Sequence, residues 1–401
     1  MAAKIGHTAS APCETPAAAP GERLTAFDHL RGFVVGLVVF HHAALAYCTF
    51  GHIDRENYAL STAPVVDPQR WVGFDLLVCL DDGFFMPLLF LLSGLFVWDG
   101  LIRHGAGAFL GARMRRLGLP FAIAVLTLIP LAYYPAFLEA GGAPGFGHFW
   151  VGTVTGGPWP SGPPWFVGVL LAFDAAAALV FVLVSGRTAA PSASPFAPRP
   201  VGGFTWLLVG SGLLYLPLLL AVGPTRWFAV GPLAIQASRI GLYAGYFAAG
   251  VGLGRCGLQA VKRFALAIGL RWAVWVLLAT ITGAAFIAAA AFARGGPHGP
   301  AAALAVSGTA QAAFCAAASF ALPALFLRFG GSRSPAWDSL AANGFAIYLL
   351  HYPFVTWTQY GLLAVPAGAP MKGALVFTVA LAASWAGASC LRRLPGVGRI
   401  L

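Results

Sequence analysis

The chain has 401 residues, 9% of them charged and 59% hydrophobic, with a mean hydropathy of +0.79. A soluble domain carries about a quarter charged residues, so this composition excludes one and points to a membrane protein. The net charge of +11 sits on no basic patch of a foldable soluble domain, and nucleic-acid binding is not expected.

Residues 1–22, rich in Ala, Pro and Thr, hold no apolar core of a signal peptide and read as a disordered cytoplasmic tail. Residues 23–393 read as one membrane domain, and 394–401 as a short second tail. Within that domain apolar stretches recur. They are Phe33–Tyr47, Trp71–Cys79 running into Phe84–Trp98, Leu117–Leu138, Trp165–Ser185, Phe204–Val222, Leu233–Leu253, Phe264–Phe292, Ala301–Leu327, Leu340–Gly361 and Gly373–Leu391. The expectation is an all-α polytopic protein of about ten transmembrane helices, with both ends on one side. The Ser/Ala/Pro-rich segment Arg187–Pro200 reads as a flexible loop. With the N-terminus in the cytoplasm, sixteen Lys and Arg residues fall in cytoplasmic segments and five outside. This bias puts both termini in the cytoplasm.

The first span opens with Asp28-His29-Leu30-Arg31-Gly32 and holds His41 and His42. Titratable groups at that depth are costly unless they line a cavity or find partners. From Arg31 to His42 is eleven helical steps, a net rotation of roughly 20° and a rise of about 16 Å. The two therefore share a face, and Asp28 can pair with Arg31. His41 points about 80° away from Arg31 and is expected to pack or orient. A cation at the mouth and a base halfway through suit an anionic substrate whose reactive end reaches into the bilayer. Capping and interhelix hydrogen bonding would explain the same residues without chemistry.

In the second span, Asp81 and Asp82 precede Gly83 and Pro87, which predicts a broken helix lining a polar cavity or a bend near the far surface. Ser93-Gly94 follows and reads as a close-packing pair. Arg113 and Arg116, one helical turn apart, suit a two-pronged phosphate site or a topology anchor. Trp165 follows Pro163-Pro164 at the start of the fourth span, with Asp174 further along. Arg239, in the sixth span, needs a counter-charge, for which Asp174 and the Asp81-Asp82 pair are the candidates. Tyr348 and His351 lie one turn apart in the ninth. The loop 51–70, with His52, Asp54 and Glu56, carries no recognisable motif. The six cysteines are scattered singly, so neither a metal site nor a redox pair is expected.

Five segments taken together resemble the acyltransferase 3 family of integral membrane acyltransferases. They are RLTAFDHLRGFVVGLVVFHHA, FMPLLFLLSGLF at Phe85–Phe96, RMRRLGLP at Arg113–Pro120, PPWFVGVLL at Pro163–Leu171 and AIYLLHYPF at Ala346–Phe354. Their order is the family's, and they span nearly the whole chain. The MPLLF segment and the long second span look most like the glucan-modifying branch, which includes periplasmic glucan succinyl transferases.

The resemblance implies an O-acyltransferase of the bacterial inner membrane. Its co-substrate would be cytoplasmic acyl-coenzyme A, with no bound cofactor, and its acceptor a hydroxyl of an envelope or exported carbohydrate. The family's arginine–ten residues–histidine pattern falls on Arg31 and His42, and its paired arginines on Arg113 and Arg116. His42 would be the base, with Asp28 and His351 in support. Asp81, Asp82, Ser93, Trp165, Arg239 and Tyr348 would belong to the cavity or acceptor side. The oligomeric state, including a homo-oligomer, stays open. The competing class is a proton-coupled exporter of a lipid or sugar, against which stands the lack of internal duplication.

Overall fold

The computed structural model describes residues 25–58, 61–143, 145–156, 159–185, 199–295 and 299–400. The expected 1–22 tail and residues 187–198 of the expected loop lie outside the described residues.

The protein is an all-α polytopic membrane protein, with one small hairpin. The first helix, α1 (Thr25–Leu45), includes the Asp28–Gly32 mouth that the apolar pattern alone had left out. The second span is broken, as expected, into α2 (Val72–Asp82) and α3 (Phe85–Gly94). Pro87 has no N–H to donate back to the Gly83 carbonyl, so it fits only the first turn of a new helix. The expected continuation to Trp98 does not hold, because the chain turns at Leu95–Phe96 and a new helix begins at Val97.

That helix, α4 (Val97–Arg113), passes through two π-helical turns, 114–118 and 124–128, which flank α5 (Leu119–Ile123) and lead to α6 (Ile129–Glu139). The run Val97–Glu139 is 43 residues, about twice a membrane crossing. It kinks at Gly105, whose φ of 76° only glycine adopts freely.

After α7 (Phe146–Thr155), α8 (Trp165–Ser185) and α9 (Pro200–Val222) comes an antiparallel hairpin of β1 (Trp227–Val230) and β2 (Leu233–Gln236), with Trp227 opposite Gln236. The expected helical span Leu233–Leu253 therefore starts late, as α10 (Ile240–Arg255). Gly231, with φ 56°, supplies the first position of a two-residue hairpin turn, and the following Pro232 suits the second. The expected span Phe264–Phe292 is likewise two helices, α11 (Leu258–Leu270) and α12 (Trp272–Gly295), divided at the non-helical Arg271. The bundle closes with α13 (Pro300–Phe329), α14 (Pro335–Leu362) and α15 (Ala369–Leu391).

Seven helical segments among the described residues are long and apolar enough to cross a membrane: Val72–Gly94, Val97–Glu139, Trp165–Val184, Pro200–Val222, Trp272–Ala293, Pro300–Phe329 and Ala369–Leu391. Their outer faces are apolar, with Trp206 80% and Leu213 71% exposed, as lipid contact requires. Helix α1 lies inside, packed on α2, α3, α13, α14 and α15. Leu30, Val34, Val38 and Val39 are buried there, and His29, Arg31, His41 and His42 reach partners on neighbouring helices.

Helices α3 and α10 meet backbone to backbone. A Cβ on Gly250 would overlap the Leu91 carbonyl oxygen, one on Gly254 that of Leu95, and one on Gly94 that of Phe247. This is small-residue packing of the kind that lets membrane helices approach closely, and it accounts for the Ser93-Gly94 pair. Gly250→Leu is expected to destabilise the protein by about 3 kcal/mol or more, since two backbones have to separate. Thermal unfolding in detergent reads this, with Gly252→Ala as the control, because a Cβ there meets nothing within 4 Å. A Gly250→Leu protein as stable as that control would refute the close approach.

Candidate active site

The side chains singled out on α1 meet partners from three other helices. Halfway along, the His42 Nδ1–H donates to the Val38 carbonyl of its own helix at 2.8 Å. On its other side stands His351 of α14, with Nε2 3.4 Å from His42 Nδ1. His351 Nδ1 lies 2.7 Å from the Tyr348 carbonyl, an acceptor, so Nδ1 holds the His351 proton and Nε2 the lone pair. Both neighbours of His42 Nδ1 are therefore acceptors. They fix the His42 proton on Nδ1 and leave Nε2 as a lone pair, an assignment made from the hydrogen bonds. Among the described residues, His42 Nε2 has no hydrogen-bond partner, and the residue is only half-buried. That is the form a general base needs.

Two residues that sequence reasoning passed over hold this histidine in place. Gln359 of α14 donates from Nε2 to the His42 carbonyl at 2.9 Å and to that of Ala43 at 3.3 Å. These carbonyls belong to the last turn of α1 and have no helical donor. The Tyr352 ring stands edge-on to His42 at 5.0 Å. Tyr352 and Gln359 are seven residues apart and so share a face of α14, the periodic signal that would have found them.

His41 turns the other way. Its Nδ1 is 2.8 Å from Asp81 Oδ1 at the end of α2, and its ring lies 5.2 Å from Phe85 at the start of α3. The divergence expected between the adjacent histidines is present: one faces α14, the other α2 and α3. Asp82 meets Arg239 through both guanidinium nitrogens, at 2.9 and 2.5 Å. Asp82 is thus the counter-charge Arg239 needs. Arg239 sits in the turn before α10 rather than inside a span.

At the other end of α1, Arg31 donates to the Leu92 carbonyl at 3.0 Å, lies 3.7 Å from Asp28 and covers the Phe96 ring at 4.8 Å. Leu92 is in the last turn of α3, where carbonyls lack helical donors and a cation is favourable. Arg31 is about a third exposed and Asp28 somewhat more. Arg113 lies near enough for its charge to act on Arg31.

The one-turn spacing of Arg113 and Arg116 runs across a change of helix type. Residues Met114–Gly118 form a π-helical turn, wider than an α-helical one, so the faces shift. Arg113 turns inward to Asp174, at 3.1 Å, and over the Phe109 ring, while Arg116 is exposed.

Of the remaining candidates Tyr348 adjoins His351, with ring centroids 6.0 Å apart, while Trp165 and Ser93 make no hydrogen bond or ring contact with the histidines among the described residues. Tyr348 donates its hydroxyl to the Pro163 carbonyl and so fastens the turn that opens α8. Trp165 sits among Phe90, Tyr243 and Trp227, joining α8, α10 and the hairpin. Ser93 is half-buried without a hydrogen-bond partner among the described residues. The loop without a motif closes the end of the bundle away from Arg31: Asp67 pairs with Lys372 of α15 at 2.7 Å, and Tyr58 packs on Tyr133 and Phe149.

The family model of the acyltransferase 3 family, described as an acyltransferase domain, matches residues 24–389. No curated protein matches the chain significantly.

Proposed function

From the premise that the chain belongs to the acyltransferase 3 family and is a membrane acyltransferase, we propose that it moves an acetyl- or succinyl-type group from cytoplasmic acyl-coenzyme A to a carbohydrate hydroxyl on the far side. The observation that carries this reading is the His42 imidazole, held with its Nε2 lone pair uncovered at membrane depth. The basic-residue bias supports cytoplasmic termini and a bacterial inner-membrane location. Ten spans result when α1, α10 and α14 join the seven long apolar segments. The enzyme class leaves the exporter reading without a carrying observation.

The donor phosphates meet Arg31, Arg113 and Arg116 at the cytoplasmic mouth, where guanidiniums grip phosphate through paired N–H groups. Arg31 is anchored on Leu92 and Arg113 on Asp174, so both are preorganised. The thioester arm extends along α1 toward the histidines. His42 Nε2 takes the proton from the acceptor hydroxyl, whose oxygen attacks the thioester carbonyl carbon. The C–S bond then breaks, and ester and thiol leave on opposite sides. Gln359, His351 and Tyr352 hold the base. Asp28 steadies Arg31. The glucan-modifying branch is the assignment within the family that the MPLLF segment and the long second span support.

Arg31→Lys keeps one donor for Leu92 but removes the paired N–H geometry. It is expected to weaken acyl-coenzyme A binding by about 1.5–3 kcal/mol, roughly 10- to 100-fold. Isothermal titration on detergent-solubilised protein measures this, with exposed Arg115→Ala as the comparison. Acyl incorporation into envelope glycans, by mass spectrometry of cells with and without the gene, identifies the acceptor. Unchanged donor binding in an Arg31→Lys, Arg113→Ala double variant, or no change in any envelope glycan, would overturn the reading.

A further inference from the structure

The pair of Asp81 and His41 has no role in the scheme above, yet it is the more strongly charged half of the histidine site. Asp81 is 5% exposed and its second oxygen, Oδ2, is buried without a hydrogen-bond partner. Its neighbour Asp82 already engages both terminal nitrogens of Arg239, which also donates to the Asp82 carbonyl at 3.1 Å. That cation is therefore committed to Asp82, and His41 is the only side chain hydrogen-bonded to the Asp81 carboxylate among the described residues. An uncompensated carboxylate at membrane depth is costly. The pair is electrically neutral only if it holds one proton more than an ionised carboxylate beside a neutral imidazole. That proton is shared between Asp81 and His41. When it rests on His41, the ring carries protons on both nitrogens and Nε2–H is free to be donated.

The position of the pair says what receives that proton. His41 faces the α3 side, with Phe85 against it. Arg31, at the mouth, bonds to Leu92 at the far end of the same helix. A donor anchored at Arg31 and lying along α1 and α3 reaches His41. His42, about 100° further round α1, faces α14. The two rings stand nearly perpendicular, with centroids 5.3 Å apart. That edge contact leaves no space between the rings, so an acyl carbon sits against their exposed edges, with its sulfur toward His41 and the attacking oxygen toward His42.

We propose that His41, held by Asp81, is the general acid that protonates the departing coenzyme thiolate. The proposal rests on the reading of His42 as the base. His42 Nε2 takes the acceptor O–H proton as the C–O bond forms. The C–S bond breaks, its electron pair goes to sulfur, and sulfur takes the proton from His41 Nε2. The turnover leaves His42 one proton richer and the Asp81–His41 pair one poorer. Transfer of that proton from His42 back to the pair restores the site, with no net proton gained or lost. The Asp81 carboxylate on Nδ1 supports His41 in this role, in the way a carboxylate orients and stabilises a catalytic imidazolium.

Leaving-group dependence tests this. An acyl-coenzyme A is compared with the same acyl group on 4-nitrothiophenol, whose weakly basic thiolate departs without a proton. His41→Ala and His41→Gln are expected to lower kcat/KM for acyl-coenzyme A by about 10²–10⁴-fold, the range for loss of a general acid. For the aryl thioester the expected loss is under about tenfold. Asp81→Asn should show the same selectivity in weaker form. Turnover of the aryl thioester also reports that the variants are folded. Equal losses on the two donors in protein that elutes as wild type would overturn the proposal and leave His41 a positioning residue, as would no loss on either. The two readings separate on His42→Ala, which should slow both donors alike. If it slows neither, the base assignment fails, while selective loss in the His41 variants would still identify the acid.

Discussion

His42→Ala is expected to lower acyl transfer by about 10²–10⁴-fold while donor binding survives. The base is removed, but Arg31 stands about 16 Å away along the same helix and Arg113 at the end of α4, and the two keep their own anchors on Leu92 and Asp174. Helix α1 itself is held by neighbours the substitution does not touch, including the Gln359 bonds to the His42 and Ala43 carbonyls. The measurement is incorporation of labelled acyl group into the acceptor, run beside titration of acyl-coenzyme A. A folded variant that loses less than tenfold would remove His42 from the mechanism. A loss well beyond the range for a base would indicate a transient acyl-histidine. His351→Ala is expected to cost less, because the Val38 carbonyl still fixes the His42 tautomer.

Lys372→Met is expected to cost about 3–5 kcal/mol of stability, the range for stranding one partner of a buried ion pair. Lys372 and Asp67 are 2% and 1% exposed and 2.7 Å apart, so each neutralises the other where water cannot. Removing the lysine strands a buried carboxylate and unties the 46–71 loop from α15. The double variant Asp67→Asn, Lys372→Met removes both charges. Its asparagine amide oxygen can still accept from the Gln69 N–H, which the Asp67 carboxylate binds at 2.8 Å. Most of the loss should therefore be recovered. Thermal unfolding in detergent decides. A single variant as stable as wild type, or a double variant less stable than the single, would mean that the pair is not buried together.

Composition and apolar periodicity were enough to make the chain a polytopic helical membrane protein, because lipid admits few other arrangements of the backbone. Local chemistry was also legible. Pro87 after Asp81-Asp82-Gly83 announced the broken second span, and the angle between successive residues sent His41 and His42 to different neighbours. Asp28 beside Arg31 followed from helical spacing alone. Where a segment had two acceptable local structures, the pattern misled. The hairpin at 227–236 reads as apolar as a span, and residues 114–118 take a π-helical turn where the pattern suits an α-helix.

The partners were the part no local pattern contains. Asp82 rather than Asp174 neutralises Arg239, and Asp174 goes to Arg113. Lys372, which looks in sequence like a loop cation, is buried on Asp67. Asp81 takes His41 and leaves His42 to His351. Sequence requires that each buried charge have a partner, because an unpaired one is too costly inside the membrane. Which partner it takes depends on how helices distant in the chain pack, and packing is decided by contacts such as that of Gly250 on Leu91, whose two members lie far apart in the sequence.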